Sequence, residues 1–196
     1  MIYLVFIIYY LLVFFFPWEG LKILPSISSI YLFEVIFVTV VSILLRMPLR
    51  FKVKHPKYIL KKVIATIALG AISIGIIKFF KVETPFKFLD NYILQLIVLA
   101  PIIEELIYRH ILLGLLQKKN IEVRNQLFFT SLLFSFSHAI AFFSLPMIFY
   151  PFILIQLVYT FILGWLMTKS KIDHEAIQVP ILLHFIFNLI FLIFLT

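Results

Sequence analysis

The chain has 196 residues, 64% of them hydrophobic and only 13% charged, with a net charge of +8 and no cysteine. A soluble domain carries about 25% charged residues, so a soluble fold is excluded, and disulfides, thiol catalysis and thiolate metal ligands are excluded with the cysteines. The positive charge does not indicate nucleic acid, because the basic residues sit in short loops between apolar blocks and form no aromatic–basic face.

The apolar blocks are long and do not alternate, which argues against a membrane β-barrel. The expected fold is all-α: a polytopic bundle of about seven transmembrane helices (six to eight), forming a single membrane domain over residues 1–196. The N-terminus has no basic n-region and no A-x-A-like site, so it reads as a retained helix and not a signal peptide. Segment one, Ile2 to Pro17, is short for a span. Pro17 to Gly20 end it, with Trp18 at the interface. Segment two, Ile30 to Leu45, contains Glu34, and the loop Arg46 to Lys62 then carries seven Lys or Arg and no acid. Segment three runs from Val63 to Phe80, where Ala71 and Gly75 have the spacing for close helix approach. Segment four runs from Tyr92 to Leu116, and Pro101 should weaken or kink it just before Glu104 and Glu105. Segments five, six and seven are Leu127 to Phe143, Met147 to Met167 and Val179 to Thr196.

Seven crossings place loops 46–62, 117–126 and 168–178 on one side, with twelve Lys or Arg, and loops 18–29, 81–91 and 144–146 on the other, with three. The positive-inside rule puts the first set, and the N-terminus, in the cytoplasm of a multi-pass cell-membrane protein.

Strongly polar residues inside the apolar blocks are few: Glu34, Glu104, Glu105, Arg109, His110, His138, His184 and Asn188, with Lys78 near one end. Such groups are costly in hydrocarbon and are usually paired. A lone buried His or Asn is more often an interhelical contact than a catalytic group. Glu34 shows no partner pattern and reads as structural or interfacial. Lys78 can snorkel, and His110 can face headgroups. Glu105 and Arg109 are four residues apart and can pair on one helical face. Glu104 is rotated about 100° away and can point elsewhere. His184 and Asn188 share a face in the same manner, as do Phe134 and His138. Counting residues from the helix ends brings Glu104, His138 and His184 near the bilayer midplane.

A carboxylate, two imidazoles and a carboxamide can hydrolyse a bond. The carboxylate takes a proton from water, and imidazole and amide donors stabilise an oxyanion. The same groups could instead ligate a divalent metal such as zinc, through Glu104, His138 and His184, with one position left for water. Spacing leaves both open.

Glu104-Glu105-x-x-x-Arg109, Phe134-x-x-x-His138 and His184-x-x-x-Asn188, in this order, resemble the CPBP family of intramembrane proteases. That family includes the type II CAAX prenyl endopeptidases and bacterial proteins linked to bacteriocin processing and immunity. The resemblance covers roughly residues 88–196, the expected catalytic core. It implies that Glu104 activates water, that His138 assists, and that His184 with Asn188 forms the oxyanion pocket or binds substrate. Glu105 and Arg109 would be supporting residues. The family is often labelled metalloprotease, while a metal-free glutamate mechanism is implied for its CAAX-processing members. The expected activity is an intramembrane endopeptidase acting on a lipidated or membrane-associated peptide. A non-enzymatic self-immunity factor or regulatory scaffold is the alternative, and a proton-coupled transporter a weaker one, since no inverted repeat is visible.

Overall fold

The structure is a computed structural model and describes residues 2–16, 29–88 and 94–195. The turn expected at Pro17–Gly20, the interfacial Trp18 and the start of segment four at Tyr92 lie outside the described residues. Seven helices form the bundle, with no strand among the described residues. They are α1 (Ile2–Phe15), α2 (Ser29–Leu44), α3 (Ile59–Phe79), α4 (residues 95–118), α5 (Val123–Ser137), α6 (Tyr150–His174) and α7 (Gln178–Leu195).

With its flanking turns, each of α3, α5 and α6 is long and apolar enough to cross a membrane, and α7 is so on its own. Their outward faces carry bare hydrocarbon, such as Ile64 and Ile72 on α3 and Leu154, Val158 and Ile162 on α6. In water such a surface would aggregate; against lipid it is the preferred solvent contact. The chain is a helical membrane bundle. With 14 residues, α1 is roughly 21 Å long at 1.5 Å per residue, short of the roughly 30 Å hydrocarbon core.

Three helices end alike. A left-handed residue, Arg46, Lys81 or Asn120, follows the last turn, and the next amide bonds back five residues: Met47 to Ser42, Val82 to Ile77 and Ile121 to Leu116. This closes carbonyls that would otherwise face hydrocarbon unpaired. Close helix approach falls at Gly70, where an added Cβ would sit 3.3 Å from Ile190 of α7. At the expected Gly75 nothing lies within 4 Å, because that face points outward.

Helix α4 departs most from regularity. Gln95–Leu99 is a π-helical turn, Ala100–Glu105 is α-helical, Leu106–Leu112 is π-helical again and Leu113–Lys118 returns to α. Residues 107–113 are all buried, so this helix is the centre of the bundle. Pro101 does not end it. In a π turn the carbonyl five residues back expects the amide at the proline position, and proline has no N–H. That carbonyl belongs to Leu96, and Asn188 Nδ2 donates to it at 2.8 Å.

The basic loop 46–58 clasps the turn between α6 and α7. Lys54 N–H donates to His174 O, and Ile177 N–H donates to Arg50 O. His174 Nδ1 donates to Lys54 O at 2.7 Å, and the Gln178 amide donates to Phe51 O. Glu175 pairs with Lys54 at 2.6 Å and Arg50 at 3.2 Å. Two of the loops expected on one side of the membrane are therefore in contact.

The Lys54 hydrogen bond holds the Glu175 carboxyl below its ordinary value, with the charges of Lys54, Arg50 and Lys171 adding to it. A depressed carboxyl stabilises the fold above its unfolded value, about 4.3, and that contribution is lost as pH falls through the folded value. We expect Glu175→Gln to narrow the difference in Tm between about pH 7 and about pH 3. Equal acid sensitivity in both proteins would remove the clasp from the account.

Candidate active site

Glu105 and Arg109 sit on α4 with no exposed side-chain surface. Arg109 Nη1 donates to Glu105 Oε1 at 3.1 Å, and Nη2 donates to Gly164 O on α6 at 3.1 Å. Gly164 is required there: an added Cβ would meet the Ser131 backbone at 3.0 Å and the Phe134 ring at 3.1 Å. Its absence lets α5 and α6 close on each other and brings the carbonyl within reach of the guanidinium. The guanidinium also lies over the Phe134 ring, 4.4 Å from its centroid, a favourable cation–π geometry.

The Glu105 Oε1 atom receives a second donor, His184 Nδ1 at 2.9 Å. A carboxylate only accepts, so Nδ1 carries the proton and the other ring nitrogen turns towards Glu104. Nε2 of His184 lies 3.8 Å from Glu104 Oε2, too far for a direct hydrogen bond. His138 has the same arrangement. Its Nδ1 donates to Phe134 O at 3.0 Å, which frees Nε2. Phe134 is the common support, with the His138 and His184 rings edge-on to it at 5.2 and 5.6 Å.

Glu104 and His138 open onto a cavity of about 270 Å³. Glu104 Oε2 is buried and has no hydrogen-bond partner among the described residues, so its acceptor capacity is unused. The expected separation of the two carboxylates is what the geometry shows: Glu105 is anchored and Glu104 faces the cavity.

Other residues differ from their sequence reading. Neither His184 nor Asn188 lines the cavity: His184 approaches Glu104 at 3.8 Å, and the Asn188 amide, expected beside the oxyanion, is engaged with Leu96 O. His110, expected to face headgroups, is buried and hydrogen-bonds Ser42 of α2 at 3.2 Å. Glu34, read as structural or interfacial, lines the cavity and accepts from Tyr9 Oη at 2.7 Å. Tyr9, Tyr31, Tyr108 and Gln156 line it as well. Tyrosines count as apolar in a hydropathy reading, which hid three of them. Gln156 is a carboxamide in an apolar run, a signal present in the sequence itself.

Among the described residues, no three of His, Asp or Glu form a set able to hold a metal ion. Both imidazoles donate through Nδ1, which leaves each Nε2 as the free ring nitrogen, and Nε2 of His184 is 3.8 Å from Glu104 Oε2.

Residues 89–190 match the profile of the type II CAAX prenyl endopeptidase Rce1-like family. The match spans just over half of the 196-residue chain and contains all three motifs. The chain belongs to that family. No curated protein and no solved structure matches it. Helices α4 to α7 carry the residues matched to this protease family, and the helices α1 and α2, outside them, supply the Tyr9, Tyr31 and Glu34 wall of the cavity.

Asn188 can be tested independently of catalysis. Asn188→Ala leaves the half-buried Leu96 carbonyl without its donor, which costs at most the roughly 1–3 kcal/mol of a fully buried acceptor. We expect a lower Tm in detergent for Asn188→Ala, with Asn188→Gln restoring little because its amide reaches one methylene too far. An unchanged Tm would show that the Leu96 contact carries no stability.

Proposed function

We propose that this Rce1-like protein is an intramembrane endopeptidase that cuts a membrane-held or lipidated peptide, with Glu104 as the base. The observation that carries this reading is Glu104, which lines a cavity with His138 while its buried Oε2 is unpaired and lies 3.8 Å from His184 Nε2.

In this reading Glu104 removes a proton from water, and the hydroxide attacks the scissile carbonyl carbon. Glu104 then returns the proton to the leaving amine. Nδ1 of each imidazole is committed as a donor, so the chemistry of both rings lies at Nε2. That atom accepts from water when the ring is neutral, and donates to an oxyanion when it is protonated. Glu105 and Arg109 hold His184 in register. Asn188 acts through Leu96, fixing α7 to the helix that carries Glu104. The scheme is written with the chain's own groups and water alone.

The side bearing loop 46–58 is the cytoplasmic side in this reading, from the excess of Lys and Arg in its loops. The substrate end reaches the cavity between α1, α2 and the family core, where tyrosines provide apolar walls with polar tips. The test is cleavage of membrane-anchored peptides by the purified protein in liposomes, with products identified by mass spectrometry. One series carries farnesylated C-terminal CAAX sequences and a second carries a transmembrane anchor. We expect a discrete endoproteolytic product in at least one series. Absence of any product in either series, from folded protein, would leave the non-enzymatic scaffold as the better reading.

A further inference from the structure

At the end of the bundle clasped by loop 46–58 lies a second cavity, about 490 Å³ in volume. It is lined by Arg50, Lys118 and Lys171, by His110, and by Arg109 at its inner wall, with Glu175 the one carboxylate. The charges do not balance. Both Glu175 oxygens are already engaged, one by Lys54 and the other by Arg50. Lys118 Nζ donates to Leu45 O at 2.5 Å, and Lys171 Nζ donates to Glu175 O at 2.8 Å. Neither ammonium forms a salt bridge with a carboxylate among the described residues. Arg109 is 1% exposed, and its Nε has no hydrogen-bond partner.

We propose that this cavity binds a phosphate-bearing anion. Cations crowded around one cavity repel one another, and an anion among them relieves that repulsion. Guanidinium and ammonium groups together match phosphate oxygens in charge and geometry. The position is that of a headgroup, since the cavity lies where the ends of α2, α4 and α6 meet the basic loops. Basic pockets between transmembrane helices take phospholipid headgroups in this manner. The two sources of the chemistry are an anionic lipid of the surrounding leaflet and free phosphate. Because Arg109 belongs to both sites, an anion here also sits behind the Glu105–Arg109 pair that orients His184. The proposal concerns binding and holds whether or not the peptide-cutting reading is correct.

The test uses the full-length protein purified in a neutral detergent. Thermal unfolding is followed with added phosphatidylglycerol, phosphatidylcholine or inorganic phosphate, and native mass spectrometry counts the retained lipid. We expect phosphatidylglycerol to raise Tm and to bind at least about tenfold more tightly than phosphatidylcholine, as two basic contacts imply. The double variant Lys118→Gln/Lys171→Gln should lose that preference, and Lys118→Arg/Lys171→Arg should keep it. Lys61→Gln/Arg124→Gln removes two basic residues outside the cavity and should leave it unchanged. An equal Tm rise with inorganic phosphate assigns the site to free phosphate, and a rise with the lipid alone assigns it to the leaflet. If the Gln pair does not fold, Lys118→Gln alone is measured, because it leaves the Lys171 bond at the end of α6 intact. The proposal is overturned if neither anion exceeds phosphatidylcholine, if the cavity variants retain the preference, or if the outside pair loses as much.

Discussion

Glu104→Gln should leave the protein folded and lower its peptidase rate by about 10²–10⁴-fold, the usual contribution of a positioned general base. The two halves of this expectation rest on different observations. The fold survives because Glu104 Oε2 makes no hydrogen bond that the amide could break, and because the amide has the same shape. The rate falls because an amide cannot accept the proton of water. The loss should appear in kcat and not in KM, since a proton moved in the transition state contributes little to ground-state binding. His138→Ala should be smaller in effect, because the ring assists at Nε2 and does not hold the base in place. The measurement pairs peptide cleavage in liposomes with Tm in detergent. A wild-type rate in Glu104→Gln would remove Glu104 from the mechanism, and a collapsed Tm would show that its role is structural.

How much of this site was legible in the sequence depended on the range of each contact. The Glu105–Arg109 pair is four residues apart on one helix, so its spacing alone announced it, and the 3.1 Å contact follows. The different facing of Glu104 followed from helix rotation in the same manner. The contact between the basic loop and the α6–α7 turn was legible more coarsely: charge counting put both on one side, but not Glu175 between Lys54 and Arg50. Contacts set by packing alone were not legible. Glu34 receives its hydrogen bond from Tyr9, 25 residues away, and no periodicity in either helix signals it. Asn188 was visible as a polar residue on the His184 face, yet its partner is a backbone carbonyl 92 residues away. That carbonyl is orphaned by a proline and a π turn, and a π turn has no residue signature. Gly164 was one glycine in an apolar run until the Ser131 backbone was seen against it.

The largest effect on stability should come from breaking the Glu105–Arg109 pair on one side only. Both side chains have no exposed surface, so Arg109→Leu leaves a buried carboxylate without its cation and Glu105→Leu leaves a buried guanidinium without its anion. Removing one partner of such a pair costs about 3–5 kcal/mol, which is a large share of the stability of most folds. Arg109→Lys should rescue little. A single ammonium cannot reach Glu105 and the Gly164 carbonyl together, and it has no planar face to lay over Phe134. Glu105→Leu/Arg109→Leu removes both charges and should recover much of the lost Tm, since apolar replacement of a whole buried pair is often neutral. The double variant should nonetheless stay inactive, because His184 Nδ1 has lost its acceptor and Nε2 is no longer held towards Glu104. Thermal unfolding and cleavage, measured on the wild type and these four variants, therefore separate the two functions of Glu105: charge balance for Arg109 and orientation for His184. If the double variant regained activity along with stability, the orienting role would be wrong. If either single Leu variant melted with the wild type, the pair would not be holding the bundle together.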